Sequence, residues 1–271
     1  PQTCAGLLAG GALGAAGALM QAVTRNPLAD PGLLGVSAGA TAGIVLPVFL
    51  IGAVDPSFTV WTALAGAFAT TLLVWGLGAI GLGVTGLLVA GAAVTAFLFC
   101  LVRGLLLVSQ SALDVFRHWV LGSLAGVGLA EVQALLPFFL AGLAAAALAA
   151  RLLNALALGD DLARALGSSV GLTRGLSLVA IACLCAASVA LAGPIGFIGL
   201  LMPHAARMAS GGDMRATVLL SALFGAILLL AADVAGRLIF PGIQLEAGLT
   251  IALLGGPVMV LLIRSGRMVS L

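Results

Sequence analysis

The sequence predicts an all-α protein whose helices cross a membrane many times. Of its 271 residues, 62% are hydrophobic and only 7% are charged, and the mean hydropathy is +1.29. A soluble domain carries roughly 25% charged residues, so this chain has too few polar side chains to cover a surface exposed to water. Its 38 glycines favour the same class, because glycine lets membrane helices approach closely. These numbers exclude a soluble enzyme and a disordered chain.

Nine apolar runs are candidates for membrane spans, given that a spanning helix needs roughly 20 apolar residues. The run 195–208 is short, so we expect it to be tilted or only partly inserted. Residues 110–130 predict a short amphipathic stretch at one surface. The nine runs are 4–20, 33–51, 58–80, 84–108, 132–153, 174–193, 195–208, 217–240 and 246–264.

The arginines predict which ends of these spans face the cytoplasm. Cytoplasmic loops of membrane proteins are enriched in Lys and Arg. Eight of the 11 basic residues follow the odd-numbered spans, which places the C-terminus inside; they are Arg25, Arg151, Arg164, Arg174, Arg207, Arg215, Arg264 and Arg267. Nine spans then put the N-terminus outside, so we expect a first span that precedes Pro1 and ten spans in total.

Two glycine series predict how the helices pack. Gly6, Gly10 and Gly14 recur every four residues, as do Gly35, Gly39 and Gly43. This spacing lines each series up on one helical face, an arrangement that allows backbone contact between helices.

The segment 24–40 interrupts the apolar pattern between the first two spans. Arg25 and Asn26 are followed by Pro27, and Asp30 is followed by Pro31. Backbone groups that a proline frees within a membrane must find new partners. The pattern therefore predicts a structured segment, either a re-entrant loop or a cytoplasmic turn.

The stretch 156–167 is the most polar part of the chain and predicts a short amphipathic helix on the cytoplasmic surface. Asp160 and Asp161 suit the positive end of its dipole, and Gly167 stands where the helix should stop. Leucines at 158, 162 and 166 share one face, and Arg164 completes the charged cluster. Such a helix is either a docking element for a cytosolic partner or a solvated surface loop.

The ionisable residues elsewhere indicate neither a metal site nor a nucleic-acid interface. His204 has no Cys, Asp or Glu at ligand spacing, and the net charge of +2 is spread along the chain rather than gathered in a patch. Asp233 and Arg237 are four residues apart and can pair on one helix, leaving Arg237 to project towards an external partner. No glycine-rich phosphate loop is present, so we expect no bound cofactor.

Four segments in order resemble the permease subunits of FecCD-type ATP-binding cassette (ABC) importers, which take up ferric siderophores, haem and vitamin B12. The resemblance is carried by residues 17–39, by Gly196-Phe-Ile-Gly-Leu-Leu-Met-Pro-His-Ala-Ala-Arg207, by Asp233-Val-Ala-Gly-Arg237 and by Gly255-Gly-Pro257. It covers the chain as one permease domain, 1–271, in a bacterial inner membrane.

The resemblance implies partners and sites. It implies a second permease subunit (a second copy, a paired homologue or a fused half), two cytosolic ATPase subunits that bind ATP and Mg²⁺, and a substrate-binding protein outside. Residues 157–171, including Leu158, would dock on the ATPase, and Arg237 would pair with the binding protein. Two positions depart from the family. Gln2 stands at the second docking position for the binding protein, where the family has an arginine, so docking there is weakened or carried by residues upstream of Pro1. Glu246 stands where the family has a proline.

The implied mechanism is alternating access driven by ATP, with 84–108 and 110–122 lining the path. An iron–siderophore chelate is the leading cargo, ahead of haem and cobalamin. An ion-coupled carrier needs unpaired acids near the membrane centre, and a membrane-embedded enzyme needs clustered His, Asp or Glu. The sequence shows neither pattern, so both classes are disfavoured.

Overall fold

Eleven α-helices account for most of the chain that the computed structural model describes, which is residues 1–52, 55–78, 83–156, 159–165, 167–239 and 245–264. No strand occurs within these ranges, so the predicted all-α class is confirmed. The helices are α1 (Gln2–Thr24), α2 (Val36–Ile51), α3 (Pro56–Gly78), α4 (Gly83–Val108), α5 (Gln110–Trp119), α6 (Leu129–Leu156), α7 (Asp160–Ala165), α8 (Val170–Ala192), α9 (Ile198–Ser210), α10 (Met214–Ile239) and α11 (Ala247–Arg264).

The predicted spans correspond to these helices, but their lengths differ. Within the described residues, six helices are long and apolar enough to cross a membrane: α1, α3, α4, α6, α8 and α10. Helices α2 and α11 are apolar but contribute shorter segments. The run 195–208 becomes α9, whose 13 residues reach about 20 Å against a hydrocarbon core of about 30 Å. A helix of this length fits the expectation that the run is either tilted or only partly inserted.

The loops that the arginines predict to be cytoplasmic lie together at one end of the bundle, called here the inner end. Arg25 donates from Nη2 to the carbonyl oxygen of Leu156 at 3.0 Å. Asn154 donates to Asp213 at 2.8 Å, which joins the end of α6 to the start of α10. Helix α7 contacts both α6 and α8. The opposite end is called the outer end.

Helices α1 and α8 form the centre of the bundle. In each of them, 78% of the most apolar stretch is buried, against 22% in α4 and 33% in α3. Helix α1 packs against α8, α9 and α10, while α2 packs between α3 and α4. The peripheral helices therefore present apolar side chains outward, as lipid or a second subunit requires.

The glycine series pack as predicted. A β-carbon at Gly14 would overlap the carbonyl oxygen of Ser221, and one at Gly10 would overlap that of Gly225. On α2, Gly43 meets the carbonyl of Thr62 in the same way. The small residues thus let α1 contact α10, and α2 contact α3, through their backbones.

Candidate functional site

The first half of the 25–34 segment is a surface turn at the inner end. Arg25 ends α1 in a left-handed conformation, with φ of 49°, and its N–H bonds back to the carbonyl of Ala22. Asn26 fixes the next bend, since its Oδ1 accepts from the N–H of Leu28 at 2.9 Å. Pro27 lies between Asn26 and Leu28 and is partly exposed. These residues form the turn that the sequence predicts.

The second half of the segment, which contains Asp30 and Pro31, runs back between the helices, and this is the re-entrant alternative that the sequence left open. Asp30 lines the same cavity, of about 190 Å³, as Leu13, the middle residue of α1. Its Oδ1 accepts from the N–H of Gly32 at 2.7 Å, which starts a single 3-10 turn over Pro31–Leu34. The prolines prevent α1 from continuing, and the extended chain can then run back between the helices.

A second break, before α9, meets the first one halfway across the bundle. Gly193 and Phe197 both have positive φ, 73° and 66°, and α9 begins only at Ile198. Gly199 faces the re-entrant segment so closely that a β-carbon on it would lie 2.9 Å from Pro31 and 3.3 Å from Asp30 Oδ2. The Asp30 carboxylate thus lies near the positive N-terminal end of α9, which is a favourable arrangement.

Gln21 and Arg207 join α1 to α9 below this crossing, a pair that the sequence did not predict. Gln21 is fully buried, and its Nε2 donates to the carbonyl oxygens of Gly199 at 3.2 Å and Leu200 at 3.3 Å. Its Oε1 accepts from Arg207 Nη2 at 2.6 Å. Arg207 is only 7% exposed, and its Nε and Nη1 find no hydrogen-bond partner in the described part of the chain. The sequence held one indication of this pair, since Gln21 is an amide side chain within an apolar span.

Helix α7 presents charge and apolar surface at the inner end. Arg164 pairs with Asp161 at 3.1 Å, both side chains being largely exposed, and Leu162 is 49% exposed. Gly167, with φ of 79°, ends the helix as predicted, with the N–H of Ser168 bonded to the carbonyl of Ala163. Leu158, Leu166 and the side chain of Asp160 lie outside the described residues, so the predicted leucine face is described only at Leu162.

Beside α7, Asn154 organises the α9–α10 turn. Its side chain donates to Asp213 Oδ1 and accepts from the N–H of Met214, both at 2.8 Å. The hydrogen bond from Asn154, followed by one from the N–H of Arg215, holds the pKa of Asp213 below its usual value. This carboxylate is therefore a fixed negative charge on the inner face.

At the outer end, the two residues predicted to meet the binding protein lie together. Arg237 is hydrogen-bonded and ion-paired to Asp233, as the four-residue spacing predicts. Its Nη1 also donates to Gln2 Oε1 at 3.4 Å, which connects the end of α10 to the start of α1. The Arg237 side chain remains 44% exposed, so it is available to a partner.

An all-α bundle with six long apolar helices in the described part of the chain, two interrupted segments that meet at mid-depth and polar clusters at both ends is the architecture of a multi-pass membrane protein. The chain belongs to the FecCD transport family, whose sequence model matches residues 1–265. It is therefore an ABC-importer permease of the bacterial cell membrane, and in this family ATP hydrolysis is carried out by a separate subunit.

Similar proteins cover nearly the whole chain. The ferric enterobactin transport system permease protein FepD of Escherichia coli K12 is 46% identical over 97% of this chain and 80% of its own length. The vitamin B12 import system permease protein BtuC of Salmonella typhi is 39% identical over 98% of this chain and 82% of its own. A solved structure described as an inward-facing, metal-chelate type ABC transporter has a TM-score of 0.89 and 27% identity, covering 98% of this chain and 85% of that one.

Proposed function

We propose that this permease carries an iron–siderophore chelate into the cell. The observation that carries the proposal is the 46% identity to a ferric enterobactin permease over almost the whole chain. Haem or cobalamin is the second candidate cargo, favoured by the 39% identity to a vitamin B12 permease. In either case no cofactor is needed on this chain, because ATP and Mg²⁺ bind to the ATPase partner.

The permease works with a second permease subunit, either another copy or a paired homologue. The outward apolar surface of α4 supports this arrangement, since Val89, Phe97 and Leu107 are 61%, 68% and 90% exposed. A transport path at the interface between two permease subunits must be lined by a peripheral helix of this kind. We assign α4 and the 110–122 segment to the lining of that path.

The inner docking site is residues 157–171, and its partner is one of two ATPase subunits. The exposed Leu162 supplies an apolar contact, and Asp161 with Arg164 supplies charges around it. Closure of the ATPase pair on ATP moves α7, and α7 moves α6 and α8, which it contacts. Alternating access follows when these movements open the path towards one side and then the other.

The outer docking site is Arg237 with Gln2, and its partner is a cargo-loaded substrate-binding protein. The guanidinium is held by Asp233 yet still exposed, so it can receive a carboxylate of that protein. Gln2 offers only a neutral amide beside it, which makes this half of the contact weaker than two arginines would be.

The double substitution Asp160→Arg/Asp161→Arg should uncouple transport from ATP hydrolysis, because it reverses the charge of the inner docking site. In proteoliposomes containing the assembled importer, we expect uptake of ferric siderophore to fall by at least about tenfold, as loss of one or two charged interface contacts implies. The matched control is Asp55→Arg, an exposed acid at the outer end. Uptake that stays at the wild-type rate in the double variant contradicts the docking assignment.

A further inference from the structure

A cavity of about 490 Å³ opens at the outer end, away from the Arg237 pair. It lies between the start of α3, helix α5, the turn that follows α5, the start of α6 and the end of α8. This volume is within the range of ligand pockets, roughly 300–1,000 Å³. The polar and aromatic residues of its lining that matter here are Thr59, His118, Trp119, Ser123 and Glu131.

The lining offers hydrogen-bond acceptors in excess of donors. Glu131 Oε2 is buried and has no hydrogen-bond partner among the described residues. His118 Nδ1 lies 2.8 Å from the carbonyl oxygen of Asp114, which can only accept, so in the neutral ring Nδ1 carries the proton and Nε2 is an acceptor. The hydroxyl of Thr59 donates to the carbonyl of Asp55 at 3.3 Å, which leaves its oxygen free to accept.

The same lining suits a positive charge. Glu131 supplies a carboxylate to the lining, so a cation that enters the cavity can pair with it. Trp119, half-buried in the wall, supplies an indole ring, the aromatic group that attracts ammonium and guanidinium ions most strongly. Two transition-metal ligands, His118 and Glu131, are fewer than a stable site requires, so an organic cation fits the lining better than a metal ion.

We propose that this cavity receives a lysine or arginine side chain of the substrate-binding protein. The inference rests on the proposed function, which places that protein on the outer end. Arg237 and the cavity then form two contacts of opposite sign on one face: a cation for a carboxylate of the partner, and an acidic cavity for a basic side chain. Two contacts of opposite sign fix the orientation of a partner as well as its affinity.

The first test measures the affinity of a ferric-siderophore-loaded substrate-binding protein for the complete importer in lipid nanodiscs. Glu131→Gln keeps the size of the side chain and removes its charge, so the affinity should fall about tenfold, as expected for a lost hydrogen bond to a charged group. Asp55→Asn, an exposed outer acid that does not line the cavity, should leave the affinity unchanged, and Arg237→Gln should lower it. Equal affinities of wild type and Glu131→Gln overturn the inference alone, whereas failure of the wild-type importer to bind overturns the proposed function as well.

A second test examines the cavity without the binding protein. Ser123→Cys, in a chain whose native cysteines are replaced, is treated from outside with a cationic trimethylammonium or an anionic sulfonate methanethiosulfonate reagent. The cationic reagent should react faster than the anionic one. In Glu131→Gln, the ratio of the two rates should approach the ratio measured with a free thiol in solution. An unchanged ratio overturns the charge assignment. If millimolar methylguanidinium protects the thiol and also blocks transport, the cavity binds a free organic cation. That result overturns the assignment to a side chain of the binding protein.

Discussion

Among single substitutions of polar residues in the inner half of α1, Gln21→Leu is expected to destabilise the protein most. The change removes the acceptor of the Arg207 Nη2 hydrogen bond and both bonds from Nε2 to α9. It leaves a guanidinium buried without a described partner, which costs about 3 kcal/mol. Thermal unfolding of the detergent-solubilised permease measures the loss, and a lower melting temperature should be accompanied by slower transport.

The control for Gln21→Leu is the double variant Gln21→Leu/Arg207→Leu. When both partners are replaced by apolar side chains of similar size, no buried polar group is left unpaired, and the net change can be nearly neutral. The double variant should therefore melt at a higher temperature than Gln21→Leu alone. Additive destabilisation by the two substitutions contradicts the view that Gln21 serves mainly to satisfy Arg207.

Gly14→Ala should separate α1 from α10 and lower the stability of the bundle by about 3 kcal/mol, the upper part of the range for overpacked cores. The added β-carbon overlaps the backbone carbonyl of Ser221, which cannot rotate away as a side chain could. Since α1 is the central helix, the shift reaches α9 and α8 as well. The yield of monodisperse protein and its melting temperature measure the effect.

The matched control for Gly14→Ala is Gly76→Ala on α3. A β-carbon at Gly76 meets no atom within 4 Å. Alanine also has the higher helix propensity, by about 1 kcal/mol, so this variant should be as stable as the wild type or more stable. Equal losses at positions 14 and 76 contradict the close-packing account of α1.

The sequence predicted most helices because a spanning segment must be long and apolar, and both properties can be read directly from the residues along the chain. It also predicted that Gly10 and Gly14 contact a neighbouring helix, since their spacing places them on one face. The spacing could not identify that neighbour as α10. Partner choice depends on shape along the whole helix, which a period of four does not encode.

The sequence could not predict the depth of Asp30 or the Gln21–Arg207 pair, for a different reason. Proline and glycine at 27–32 predicted an interruption, but the direction of the chain after a break depends on the helices that surround it. Gln21 and Arg207 are 186 residues apart. Their contact exists only because Gly17 and Gly199 allow α1 and α9 to approach, which becomes visible only in three dimensions.

The most direct test of the whole account is ATP-driven uptake by the reconstituted importer. Proteoliposomes with the permease, its ATPase and ATP inside, and the loaded substrate-binding protein outside, should accumulate ferric siderophore. Uptake should stop when ATP is replaced by a non-hydrolysable analogue and should not respond to collapse of the ion gradients. Uptake that continues without ATP hydrolysis and disappears with the gradients would show an ion-coupled carrier and contradict the assignment as an ABC-importer permease.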